Sequence, residues 1–343
     1  MRFTRRIWIN RFAAAGVALT ALSGPAAAQT AVKFSLDFVL QGPQSPFFLA
    51  EERGYYKAEG VNVTAMDAGR GSGDTVGRVA SGVYDLGFGD INSVIEFNAK
   101  NPGKEIFAVF MVYNKAPLSM LTLKKTGIKT PKDLAGHTAA APAFDASYRM
   151  FKMFAKVNGF DPNTVTWSNV SPQLREPMLA KGEADAISGF SFTSIMALNT
   201  LGVKTDDIQL FLFSDYGMDL YANAVIASPA LIKSNPKVVA GFVKGALRGW
   251  QDAIKDPKAS VAALKKREGL INEDVELERL NYAIRDYVAT DDVKKHGMGD
   301  VDDARLKKNI ELVTEGLELP RVIPPNLAFD RQFLPPPDQR KVN

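Results

Sequence analysis

The sequence has 343 residues, 46% hydrophobic and 23% charged, a globular composition that excludes a disordered or fibrous chain. It contains no cysteine and two histidines, His137 and His296, which excludes disulfides, thiolate metal sites, thiol catalysis and a lipidated-cysteine anchor. Lysine and arginine number 42 against 38 acids, a formal charge of +4.

That excess sits at the start. Residues 1–28 carry Arg2, Arg5, Arg6 and Arg11 and no acid. A short apolar run, Phe12–Leu22, follows, then Ser23-Gly24-Pro25 and Ala26-Ala27-Ala28. A basic segment, a short apolar segment and an A-x-A site are the three parts of a secretory signal. Cleavage is expected after Ala28, which removes four arginines and with them the net charge. No basic footprint for nucleic acid then remains. Arg5-Arg6 fits either the twin-arginine or the general secretory route. No later apolar run approaches the length of a membrane span, so the expected location is a bacterial periplasm.

From Val32 the pattern alternates strand and helix. Val32–Leu40 reads as a strand, and Ser45-Pro46 opens a helix that Gly54 closes. Val61–Ala65 is a second strand, Gly69–Gly73 a glycine loop, and a helix then runs to Gly82. Tyr84–Phe88, the helix Ile91–Ala99 and the strand Ile106–Val112 complete a first βα series. The pattern restarts with strands Met120–Lys124, Thr138–Ala141, Val165–Trp167, Ala184–Ile187 and Ile208–Phe213. Between them lie helices opening at Asp145, Leu174 and Ser194. After Tyr216 the spacing is helical, over Pro236–Ile254, Lys258–Arg267, Asp274–Val288 and Asp302–Glu315. The proline-rich tail from Pro320 is expected to lie extended on the surface. The fold class is α/β with largely parallel sheets. Ala80-x-Gly82-x-x-Asp85 recurs as Ala180-x-Gly182-x-x-Asp185, which points to two similar lobes.

The segment Asp37–Val63, with Ala50-x-x-x-Gly54-Tyr55-Tyr56-Lys57-x-Glu59-Gly60-Val61-x-Val63 as its most specific part, resembles the start of nitrate/taurine/thiamine-pyrimidine-type (NitT/TauT) substrate-binding proteins of ABC importers. Gly71-Ser72-Gly73, Ile128–Gly136 and the repeated Ala-x-Gly-x-x-Asp match further. The resemblance implies a two-lobed, hinged periplasmic-binding-protein fold of type II. Residues 29–114 plus 222–319 would form one lobe, 115–221 the other, and 320–343 the tail. The crossings would fall near Asn114 and Tyr221. It also implies an ABC permease of the inner membrane as partner, a small-molecule ligand, a monomer and no cofactor.

In open α/β sheets ligands sit beyond the C-terminal ends of the strands. Here those ends carry Gln41–Ser45, Gly69–Asp74, Gly89–Ser93, Phe144–Ser147 and Gly189–Thr193, each preceding a helix whose free N–H groups suit an acceptor. The candidate ligand-binding residues are Phe38, Gln41, Gln44, Gly71, Ser72, Gly73, Asp90, Asn114, Phe144, Asp145, Phe190, Tyr216 and Asp219. The aromatics offer flat walls, the aspartates acceptors for an exocyclic amine. Core packing is the competing role for the aromatics, helix capping for Asp90 and Asp145, and a solvated loop charge for Asp37 and Asp219. Arg70 and Arg149 are the candidate anion partners. The set favours a small planar polar ring, such as a pyrimidine or an aromatic acid, over an alkanesulfonate or nitrate. Neither histidine has a nucleophile partner in sequence, and no G-x-S-x-G is present. Eukaryotic relatives of the family make the thiamine pyrimidine with a cysteine-rich motif, which this chain lacks, so no catalysis is expected.

Overall fold

The computed structural model describes residues 29–342; the expected signal segment lies outside the described residues. Its strands are β1 (Thr30–Ser35), β2 (Val61–Asp67), β3 (Leu86–Asp90), β4 (Phe107–Met111), β5 (Leu118–Leu123), β6 (Thr138–Ala141), β7 (Thr166–Asn169), β8 (Ala186–Phe190), β9 (Ile208–Leu212) and β10 (Asn223–Ala227). They form two five-stranded sheets, ordered β2-β1-β3-β10-β4 and β7-β6-β8-β5-β9. Each has three parallel strands, and its fourth strand, β10 or β5, runs antiparallel to its neighbours. The sheets are therefore the same arrangement built twice.

The repeated motif does the same job in both. Asp85 accepts from the Lys33 backbone N–H at 2.8 Å and donates its own N–H to the Lys33 carbonyl at 3.0 Å. Asp185 does the same to Thr138, at 2.9 and 3.1 Å. Each aspartate thus fixes the start of one parallel strand against the next. Gly82 and Gly182 close the preceding helices with φ of +75° and +77°, a left-handed stop that glycine adopts without steric cost.

Helices cover the sheets. Ser45–Glu52 is buried from Ser45 to Ala50 and lies against the long helix Pro236–Lys255. A side chain at Gly249 would come within 2.4 Å of the Pro46 carbonyl, so glycine there sets the distance between these helices. Trp250 is fully buried, edge-on to Phe47 with centroids 6.0 Å apart. None of the helices among the described residues is long and apolar enough to cross a membrane.

Two crossing segments join the sheets, Val112–Pro117 and Phe213–Ala222. They bond to each other: Ala116 N–H to the Leu220 carbonyl at 3.1 Å, and Ala222 N–H to the Tyr113 carbonyl at 3.1 Å. An aromatic chain continues the connection, from Phe88 to Tyr113 (5.5 Å) to Phe192 (5.9 Å) to Tyr287 (5.8 Å).

Three sequence readings are corrected. The first strand ends at Ser35, not Leu40, because the chain turns to bury Asp37. Strand β10 falls in a region read as helical; its five residues are all buried, so no polar alternation marks it. The tail after Pro320 is not extended on the surface. It makes three short 3-10 turns, buries Ile323, Phe329, Phe333 and Val342, and bridges β4 through Phe329 and Ala108.

Candidate functional site

The loops at the strand ends of the two sheets meet across a cleft. Gly71 has a φ of +140°, a conformation that favours glycine, and its N–H donates to the Asp37 carbonyl at 2.8 Å. A Cβ there would stand 2.2 Å from the Phe144 carbonyl of the facing loop. The Gly73 N–H donates to that same carbonyl at 3.2 Å. Glycine is required because the two backbones touch. On the far side of the cleft, the Thr193 hydroxyl donates to the Gln41 side-chain carbonyl at 3.1 Å. Charged pairs flank the cleft. Arg149 meets Glu96, and Lys152 and Lys156 both hold Glu318.

Between these loops lies a small cavity. Of the thirteen candidate residues it brings together Phe38, Gln44, Gly71, Ser72 and Phe190. Asp37, Arg175, Phe192 and Thr193 join them. Its volume is about 20 Å³, room for about one water molecule, so the two sides are drawn together.

The other candidates are engaged elsewhere. Gln41 lines the outer mouth of the cleft. Gly73 faces the Arg149 side chain. Asp90 caps the helix Ile91–Lys100 through the Asn92 N–H and also holds the Asn92 side-chain amide. Burial raises its carboxyl to about 7, against the opposing pull of those Asn92 bonds. Asn114 donates to Asp292 and accepts from Thr290 and Arg305 in the crossing region. The Phe144 ring is 37% exposed beneath Arg70, and the residue reaches the cleft through its carbonyl. Asp145 caps the helix Ala146–Val157 through the Tyr148 N–H. Tyr216 packs edge-on against Phe154 and Phe211. Asp219 pairs with Arg305 at 2.9 Å. Of the candidate anion partners, Arg70 pairs with Asp74 and Arg149 with Glu96.

Two charged groups dominate the cavity. Asp37 is 3% exposed and accepts from the side-chain amides of Gln44 and Asn223, each at 2.8 Å. Burial raises its carboxyl to about 6, because these neutral donors offset only part of the desolvation. It is therefore not the solvated loop charge that a strand-end aspartate suggests. Arg175, 1% exposed, lies beneath the Phe38 ring, its guanidinium carbon 5.3 Å from the centroid. It is held by Asp145 at 3.2 Å and Glu176 at 2.7 Å. Those carboxylates are themselves tied down, Asp145 by the Ser188 hydroxyl at 2.8 Å and Glu176 by the Ser194 hydroxyl at 2.7 Å.

Arg175 was not legible as a site residue. It opens the short helix expected from Leu174, where a charged pair such as Arg175-Glu176 carries no sign of burial. Asp37 had a signal, its place between the strand and the Gln41–Ser45 loop. Arg175 is the one cation lining the cavity among the described residues, and two carboxylates already offset its charge. Closed, the cavity has no room for a ring; with its two sides parted it would place a flat group against Phe38 and Phe190, with an N–H directed at Asp37.

Comparison with known proteins agrees with this layout. The riboflavin-binding protein RibY of Chloroflexus aurantiacus is 26% identical over 228 residues, 66% of this chain and 63% of that protein. The formylaminopyrimidine-binding protein of Halalkalibacterium halodurans is 25% identical over 257 residues, 73% of this chain and 76% of its own length. The alkanesulfonate-binding protein SsuA of Xanthomonas axonopodis pv. citri, solved with MOPS bound, superposes with a TM-score of 0.66 at 17% identity, over 89% of this chain and all of that one. That likeness establishes the fold, which another neighbour's description calls the generic periplasmic binding protein fold. The model of the family described as "NMT1/THI5 like" matches residues 43–260. With that match over most of the chain, and two equivalent sheets closing on one cavity, the protein belongs to the NMT1/THI5-like family.

Proposed function

We propose that this chain captures a small ligand for an ABC importer. In this reading residues 1–28 export it to the periplasm and are removed after Ala28. Residues 29–114 plus 222–319 close against 115–221 around the ligand, and the closed monomer delivers it to an inner-membrane permease. The cleft between two like sheets supports this reading, as does a family whose named relatives bind riboflavin and formylaminopyrimidine. Capture without catalysis is the reading that the two relatives named above support, since both are binding proteins.

The ligand in this reading is a planar polar ring, neutral or cationic, with N–H donors. The pairing of Arg175 is the observation that carries it. Two carboxylates hold its guanidinium, and Asp37 beside it has only amide partners. An anion would enter a cavity whose fixed charges already sum to negative. An N–H donor would satisfy Asp37, and its ring would lie between Phe38 and Phe190, a contact geometry that aromatic faces favour. The alkanesulfonate reading rests on one specific feature, the helices that open at Ser72, Ala146 and Ser191 beside the cavity.

A thermal-shift screen of aminopyrimidines against taurine, nitrate and aromatic carboxylates tests the choice. A ligand at 100 times its Kd stabilises by about 2.7 kcal/mol. Stabilisation by the aminopyrimidines is expected. Stabilisation by taurine or nitrate alone would overturn the ligand assignment and leave the helix N-termini as the anchors.

A further inference from the structure

A second cavity adjoins the first. Thr193 and Phe38 line both, and the hydrogen bond from Thr193 to Gln41 stands where they meet. The outer cavity measures about 230 Å³ against about 20 Å³ for the inner one. Its chemistry is also different. Val39, Pro172, Pro177, Ala197 and Leu201 give it apolar walls, interrupted by the uncharged polar side chains of Gln173 and Thr200. The ionisable group there is Glu176, already occupied by Arg175 and Ser194.

From this pairing we infer that the outer cavity is a ligand subsite for an uncharged, largely apolar substituent, carried on the polar ring that the inner cavity takes. The inference rests on the capture reading above. Several features support a binding surface over a mere gap. Leu201, 48% exposed, stands at the mouth of this cavity and offers apolar surface that a ligand arm would cover. The two prolines fix the wall, since their φ is locked and they offer no N–H that would need water. Phe38 is shared, so one ring can stack on the polar head and also contact the arm. The inner cavity must widen to admit the ring, and the outer cavity, which shares Phe38 and Thr193 with it, is the adjoining space for a substituent. The ligand class is thus a planar N–H-bearing ring with an apolar arm of roughly phenyl size, a size set by ordinary pocket filling.

The test uses the full chain and three probes: 4-aminopyrimidine, 4-amino-5-phenylpyrimidine and benzyl alcohol. Calorimetry reads the pyrimidines, and saturation-transfer NMR reads benzyl alcohol, which needs no polar head. Ala197→Trp fills the outer cavity from the helix Ser191–Thr200. Leu201→Glu places a charge at its exposed rim, where folding is not at stake. The phenyl compound is expected to bind at least tenfold tighter than the bare ring. That advantage should vanish in Ala197→Trp and shrink in Leu201→Glu, with 4-aminopyrimidine unchanged in both. The benzyl alcohol signal should be lost in Ala197→Trp. A benzyl alcohol signal that is absent, or unaffected by Ala197→Trp, would overturn the subsite. So would equal affinity of the two pyrimidines in the unmodified chain, which would make the outer cavity an entrance only. If neither pyrimidine binds while benzyl alcohol shows the expected loss, the polar-ring assignment falls and the outer subsite stands.

Discussion

Arg175→Met is the sharpest test of the cavity's electrostatics. The substitution keeps most of the side-chain volume and removes the charge between Asp145 and Glu176, all three groups being at least nine-tenths buried. Removing one partner of a buried ion pair costs about 3–5 kcal/mol, because the remaining charge has no compensation. Here each carboxylate keeps a hydroxyl donor, Ser188 or Ser194, and Asp145 also keeps the Tyr148 N–H. The loss is therefore expected near the low end, about 3 kcal/mol. Urea unfolding at pH 7.5 measures it. A second substitution, Glu176→Gln, should restore more than half of it. A loss under about 1 kcal/mol at pH 7.5, the range of an exposed pair, would refute the claim that Arg175 is committed to these carboxylates. It would also reopen the site to an anion.

Asp37 has a raised carboxyl, so its ionisation costs stability as pH rises through about 6; Asp37→Asn should flatten the melting temperature between pH 5 and 7.5, and an unchanged pH profile would show that burial of this group is not what sets it. Gly71→Ala puts a Cβ 2.2 Å from the Phe144 carbonyl; it should destabilise the closed form by about 1–3 kcal/mol, seen as a larger radius in solution scattering, with an unchanged radius counting against backbone contact across the cleft. Glu318→Gln releases Lys152 and Lys156 and should widen the ligand-free ensemble in the same scattering assay, more so at low salt because exposed pairs are screened; insensitivity to both substitution and salt would remove these pairs from closure. Gly249→Val should cost stability without altering ligand affinity, since its 2.4 Å approach is to Pro46 and not to the cavity, and a selective loss of binding would contradict that.

The alternation of strand and helix was legible because amphipathic periods change visibly between Thr30 and Leu212. The duplicated Ala-x-Gly-x-x-Asp was legible as a repeat, and its cause became visible only with Asp85 and Asp185 bonded to neighbouring strands. Strand β10 was not legible, because Ala224–Ala227 is buried on both faces and shows no period of two. Among site residues, the glycine loop at Gly71–Gly73 carried a signal, since small residues after a strand mark close approach. The burial of Arg175 carried none. An arginine becomes a buried charge only when distant residues, here Asp145 and the hydroxyls of Ser188 and Ser194, are folded around it. For the same reason Tyr216 and Asp219, within the second crossing segment, turn out to serve packing and a pair with Arg305.

The position of β10 bears on the order in which the chain can assemble. It separates β3 from β4, so the first sheet cannot attach its edge strand β4 until residues 223–227 are available. The second sheet draws all its strands from the continuous stretch 118–212 and depends on nothing that comes later. During synthesis the later-starting unit can therefore finish first, while the earlier one waits with β4 unattached. Closing a strand across more than a hundred intervening residues is entropically slow. A chain whose leading unit cannot complete itself early stays threadable for longer, which would favour the general secretory route over the twin-arginine one if the proposed export takes place.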